Sequence, residues 1–217
     1  MSEAVRVRRG LEEAIVAGRY HPGDKLNLER ICAEYGCSRT PVRDALQHLS
    51  TSGLVQIRPK HGTFVSRLSV RELAERFEVM AELEGFCAEL AARRMPPAAA
   101  EEMTAGLIAC EQFVDQDDPD GYYDANSRFH RAIYAGSGNE FLRQEAEKLQ
   151  GNLEVYRRLQ LRVGNRMVRS LGEHRTIARA ILDGEPEEAR AQARAHVKIQ
   201  GDEYTEMVLG LQGLLQE

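Results

Sequence analysis

Cys37-Ser38-Arg39-Thr40-Pro41-Val42-Arg43-Asp44-Ala45-Leu46 is the stretch that decides the fold. Ser38 is a helix N-cap type, so the first N–H groups of the helix it opens are free to meet a phosphate. Arg39 and Arg43 are four residues apart and share a face, with Thr40 beside them. Val42, Ala45, Leu46 and Leu49 line another face, which must pack inward. A helix with apolar packing on one side and two arginines near its start on the other suits the major groove of DNA. There an arginine takes both acceptors of a guanine, worth roughly 1–3 kcal/mol of discrimination.

Upstream, Ala4 to Ala17 reads as a helix with Val5, Leu11, Ile15 and Val16 as its apolar stripe, ended by Gly18. His21-Pro22-Gly23-Asp24 is a turn. Asn27 caps a short helix with Ile31 and Tyr35 inward and Gly36 as its stop. Downstream of Ser52-Gly53, the segments Leu54-Val55-Gln56-Ile57 and Thr63-Phe64-Val65 are β-prone. The turn between them carries Arg58, Lys60, His61 and Gly62. Helix, helix-turn-helix and basic hairpin in this order predict a winged helix. The cations of the wing suit the minor groove or its phosphates.

The chain changes character near Ser66–Ser69, giving expected domains of 1–67 and 68–217. Ser69-Val70-Arg71-Glu72 reads as a capping box opening a helix to about Arg94. Further helices are expected over about 97–115, 119–135, 139–161, 170–183 and 186–215. Pro97 and Pro119 sit at helix starts, and Ser170-Leu171-Gly172-Glu173 is a second capping box. Short connections predict an antiparallel bundle of six to seven helices, so the fold class is mainly α.

The 217 residues carry a net charge of −5, divided unevenly. Residues 1–67 hold eleven Lys/Arg against seven Asp/Glu, and residues 68–217 hold eighteen against twenty-seven. A basic head on an acidic body is the asymmetry expected when one domain meets phosphate. Cys32, Cys37, Cys87 and Cys110 form no C-x-x-C pair and read as reduced thiols packed as small hydrophobes. No apolar run approaches the ~20 residues of a membrane span, and no signal peptide opens the chain, so a cytoplasmic location and no membrane partner are expected.

Three histidines of the second part, His130, His174 and His196, fall on three different predicted helices, each beside apolar residues. They read equally well as core residues satisfied by a neighbour or as ligands gathered from three helices for a divalent ion such as Zn²⁺ or Ni²⁺. Asn126, four residues before His130, shares its face and offers a neutral oxygen as a fourth ligand. Tyr123 and Tyr134 flank His130 at helical spacings, as pocket lining or as plain core.

Pro22-Gly23-Asp24-Lys25-Leu26, the Gly36–Leu46 run, Gly53-Leu54-Val55 and His61-Gly62-Thr63-Phe64-Val65 together resemble the GntR-type winged helix over about the first 67 residues. That resemblance implies that Arg39, Thr40 and Arg43 read bases or anchor phosphates, that His61 and Gly62 enter the minor groove, and that a homodimer binds pseudo-palindromic double-stranded operator DNA. Asn126-Ser127-Arg128-Phe129-His130-Arg131-Ala132-Ile133, Ser170-Leu171-Gly172-Glu173-His174 and His196 resemble the ligand domain of the FadR branch, called FCD, over about residues 69–205. Many such domains hold a divalent metal with one Asp and three His, and the metal helps bind a small carboxylate effector. Two departures stand out. Asn126 occupies the Asp position, and Met80 stands where many members carry an arginine.

The resulting expectation is a transcription regulator, read as a repressor, whose operator affinity is set by a small-molecule effector. Two other readings are a metal-dependent hydrolase in the helical domain and a constitutive DNA-binding dimer without effector. Against the first, the chain has no H-E-x-x-H, no nucleophile elbow and no phosphate loop, and Glu173, adjacent to His174, should point away from it.

Overall fold

A computed structural model describes residues 2–16, 19–21, 23–51, 53–66, 70–162 and 164–198. Gly18, Pro22, Ser52, Ser69 and the end of the last expected helix lie outside them.

The head is a winged helix. Helices α1 (Glu3–Val16), α2 (Leu28–Tyr35) and α3 (Arg39–Thr51) pack against a small sheet of β1 (Lys25–Leu26), β2 (Val55–Arg58) and β3 (Gly62–Val65). The sheet order is β1-β3-β2, all antiparallel, with Val55 opposite Val65 and Arg58 opposite Gly62. Strand β1 has no sequence periodicity to betray it, because two residues cannot show one. Asn27 caps α2, its side chain accepting from the backbone N–H groups of Glu29 and Arg30, and Gly36 closes that helix in the left-handed region.

The stripe of α1 differs from the expected one. Val5 is exposed, while Val7, Leu11 and Ala14 are buried. Spacings of four and three put those residues on one line, and Val5 falls off it. Val7 and Leu11 meet Ile31, Val42, Ala45, Leu46, Leu49, Leu54 and Val65 in one core. Each such side chain contributes roughly 1.5–3 kcal/mol by leaving water.

Among the described residues the body contains α4 (Val70–Arg94), α5 (Pro97–Asp115), α6 (Pro119–Gly136), α7 (Glu140–Leu161), α8 (Arg166–Leu182) and α9 (Pro186–Val197). Pro97, Pro119 and Pro186 begin their helices, where a missing N–H costs nothing. Gly106 lets α5 lie against α6. A Cβ there would stand 2.8 Å from the Phe129 backbone nitrogen, so any larger residue would force the two helices apart. Helix α8 starts at Arg166, four residues before the expected capping box. Ser170 is buried inside it and faces His174, so its hydroxyl serves the interior rather than a helix end. Among the described residues no helix is long and apolar enough to cross a membrane.

The head rests on the body where α1 meets α7. Glu12 is buried at this seam, accepting from Arg8 at 2.6 Å, with Glu154 and Arg158 of α7 as its charged neighbours. Burial, reinforced by repulsion from Glu154, raises the Glu12 carboxyl from 4.5 to about 7 against the pull of Arg8. The folded chain therefore binds this proton more tightly than the unfolded chain does. The resulting contribution to stability is full below pH 4.5 and is lost as pH rises to about 7. Glu12→Gln is expected to leave stability nearly unchanged at pH 4 and to raise it by about 1–3 kcal/mol at pH 8, a range discounted for solvent screening. Urea unfolding of both proteins at the two pH values checks this. Equal pH dependence in the two proteins would remove Glu12 as the titrating group.

Candidate functional site

Asn126 and His130 are separated by one helical turn on α6 and are both buried. His174 comes from the middle of α8 and His196 from the last turn of α9. Ligand nitrogens of the three histidines lie within 4.8 Å of one another. The bundle thus brings together residues 44 and 22 positions apart in the chain, as expected for ligands drawn from separate helices.

What orients the rings is a pair of carboxylates. His130 Nδ1 is 2.9 Å from Glu84 Oε2, and His196 Nδ1 is 2.5 Å from Glu173 Oε2. Each contact fixes one ring nitrogen and leaves Nε2 as the free ligand atom, the usual outer support of a metal-binding histidine. His130 Nε2 is buried with no hydrogen-bond partner, and His174 Nε2 stands 3.3 Å from His196 Nε2. Two nitrogens each about 2.1 Å from a shared ion would be roughly 3.0–3.4 Å apart, so the His174–His196 pair has the spacing of two ligands of one ion. His174 is stacked on Phe129 at 4.5 Å between ring centroids. Burial first, then the neighbouring imidazoles, holds His174 well below its ordinary pKa. Burial, His130 and Arg166 do the same to His196. Both are then neutral at pH 7, as ligation requires.

Glu84 is the centre of the interior polar network. Its Oε1 accepts from Tyr134 Oη at 2.9 Å and from Arg157 Nη2 at 2.7 Å. Burial alone would raise this carboxyl, but Arg157 and His130 outweigh it and hold Glu84 well below the usual range. Glu173 likewise accepts from Arg166 at 2.8 and 2.9 Å. It does turn away from His174, its sequence neighbour, and reaches His196 on the next helix instead. A cavity of about 30 Å³ adjoins the cluster, lined by Asn126, His196, Arg157, Gln160, Arg166 and Ser170 among others. Tyr134 sits behind Glu84, and Tyr123 lies under the Arg158 guanidinium at 4.1 Å. Neither tyrosine is among the cavity's lining residues. Met80 is fully buried in the core, and the cations that reach the cavity are Arg157 and Arg166, both missed in the sequence.

On the head, Ser38, Arg39, Thr40 and Arg43 are all exposed, while Val42, Ala45, Leu46 and Leu49 of the same helix are buried. Arg39 Nη2 donates to Glu29 Oε1 at 3.0 Å. Arg58, Lys60, His61 and Gly62 are exposed at the tip of the β2–β3 hairpin, where Gly62 has φ +111°, a conformation other residues adopt only with strain. Arg58 and Lys25 both stand over the Phe64 ring, which adds Lys25 to the basic wing.

Residues 3–65 match the model of bacterial regulatory proteins of the gntR family, and residues 75–198 match the FCD domain. The probable D-xylose utilization operon transcriptional repressor of Paenarthrobacter nicotinovorans is 30% identical over 195 residues, 89% of this chain and 85% of that protein. The HTH-type transcriptional repressor GlaR of Escherichia coli K12 is 28% identical over 202 residues, 87% of this chain and 90% of its own length. Among solved structures, E. coli McbR/YncC superposes over the full length of both chains with a TM-score of 0.72 at 21% identity. A GntR regulator from Rhodococcus sp. RHA1 gives 0.66 at 22% identity, over 96% of this chain and 98% of its own.

Proposed function

The chain belongs to the GntR family of bacterial transcription regulators and carries an FCD domain, and we propose that it is a repressor whose operator affinity is set by a metal-bound small carboxylate. The observation that carries this reading is the convergence of three imidazoles, two of them braced from behind by carboxylates, beside a small cavity containing two arginines. His130, His174 and His196, with Asn126 as a neutral fourth donor, would hold a divalent ion, Zn²⁺ or Ni²⁺ by the softness of imidazole. That ion would supply a Lewis-acidic anchor for the effector. Arg157 and Arg166 take the part of the cation that Met80 cannot provide.

Helix α7 links the two functions. Arg157 faces the effector cavity, while Glu154 and Arg158 are charged neighbours of Glu12 on α1. An effector that binds one arrangement of head and body more tightly shifts the population toward it by that difference in affinity and no more. In our reading residues 1–67 form the DNA-binding unit and 68–217 the effector and dimerisation unit. Two copies would present two recognition helices to a pseudo-palindrome in the cytoplasm.

Elemental analysis of tag-free protein tests the premise: about one divalent ion per chain is expected, the stoichiometry of a single three-histidine site. His174→Ala is expected to abolish retention while leaving the helical circular dichroism signal intact. Wild-type protein that retains no ion after exposure to Zn²⁺ or Ni²⁺ and removal of the excess would overturn the metal reading.

A further inference from the structure

We propose that Asn126 makes this site selective for a dianionic effector, a small dicarboxylate, over a monocarboxylate of the same size. The inference rests on the metal-site reading above and deepens it.

Buried charge sets the preference. Glu84 is paired with Arg157, and Glu173 with Arg166, so the two acids and two arginines around the cluster cancel. The three imidazoles are uncharged as ligands, and the Asn126 amide is uncharged always. A divalent ion held by this set therefore brings two positive charges that no protein group balances. A carboxylate at position 126 would cancel one of them, leaving a site that a monoanion neutralises. With Asn126 the remaining two must come from the ligand, and an uncompensated charge in a buried site is strongly unfavourable.

Geometry agrees with charge. Asn126 and His196 line the cavity together with Arg157, Gln160 and Arg166. One carboxylate set against the histidine face would leave a second within reach of the two guanidiniums and the Gln160 amide.

Lactate and malonate are suitable probes, because they are close in size and differ by one charge. Full-length protein loaded with Zn²⁺ or Ni²⁺, its ion content measured before and after, is titrated with each acid by calorimetry. Malonate is expected to bind at least about tenfold more tightly than lactate, and Asn126→Asp is expected to shift that ratio toward lactate by about tenfold or more. Asn126→Ser, which adds no charge, should keep the wild-type preference. Lactate binding as tightly as malonate to wild-type protein, or an unchanged ratio in Asn126→Asp, would overturn the proposal while leaving the metal reading intact. Failure of the wild-type protein to retain either ion would remove both, and the ion content distinguishes the two cases.

Discussion

Replacing Glu84 by Ala is expected to cost about 3–5 kcal/mol of stability, the range found when one partner of a buried ion pair is removed. Glu84 is 2% exposed and serves Arg157, Tyr134 and His130 at once. Its loss strands the Arg157 guanidinium in the interior and leaves the Tyr134 hydroxyl without an acceptor, each a separate cost. In a chain of this size the fall in Tm should be on the order of 10 °C. Metal affinity should fall as well, by roughly 10–100-fold, because His130 loses the contact that fixes its ring. A double change, Glu84→Ala with Arg157→Leu, separates the two effects. Removing both charges should restore most of the stability, since well-packed apolar groups replace buried ion pairs with little loss. It should not restore the metal affinity, because nothing then holds His130 Nδ1. Thermal unfolding and zinc competition titrations give the two readouts. A single mutant with wild-type Tm and wild-type zinc affinity would show that Glu84 neither balances Arg157 nor orients His130.

Glu84 was also legible in principle. On α4 the residues Leu73, Phe77, Met80, Ala81, Ala88 and Ala91 are buried at helical spacing, and Glu84 falls on the same stripe. On α7 the buried line Leu142, Ala146, Leu153 continues to Arg157. An acid on one apolar stripe and an arginine on another are a pair awaiting recognition, because a lone charge on a buried face is too costly to persist. What the sequence lacks is the pairing itself, since the partners are 73 residues apart and meet only when α4 packs on α7. Local spacing served better where both partners lie on one element, as with Asn126 and His130 on α6, or with the arginines and apolar face of α3. It misled at Ser170, whose cap-like context hides an inward-facing hydroxyl, and at Val5, two residues short of the true stripe. Capping chemistry is decided by where a helix is buried as much as by its own residues.

Arg43→Ala is expected to erase operator discrimination rather than merely weaken DNA binding. The direction follows from the two sides of α3. Val42, Ala45, Leu46 and Leu49 are locked in the head's core, so the orientation of the helix about its axis is fixed. Arg39, Thr40 and Arg43 are thereby held outward, at the end of the helix that a major groove would receive. One arginine on a guanine edge is worth roughly 1–3 kcal/mol, about 5–150-fold in affinity, and a two-fold dimer loses it twice. Arg39 differs in one respect: it is held by Glu29 at 3.0 Å and must leave that partner to reach a base. Both side chains of the pair are mostly exposed, so its release costs less than about 1 kcal/mol and Arg39→Ala should still lose most of the same discrimination. Lys60→Ala on the wing sets the contrast. A phosphate contact carries no sequence information, so its loss should weaken operator and scrambled DNA equally and flatten the salt dependence by about one counterion per chain. Competition gel shifts with operator and scrambled duplexes at several salt concentrations measure both quantities. If Arg43→Ala kept the wild-type ratio while Lys60→Ala lost it, base reading would belong to the wing, and α3 would be the element that merely seats the head on the phosphates.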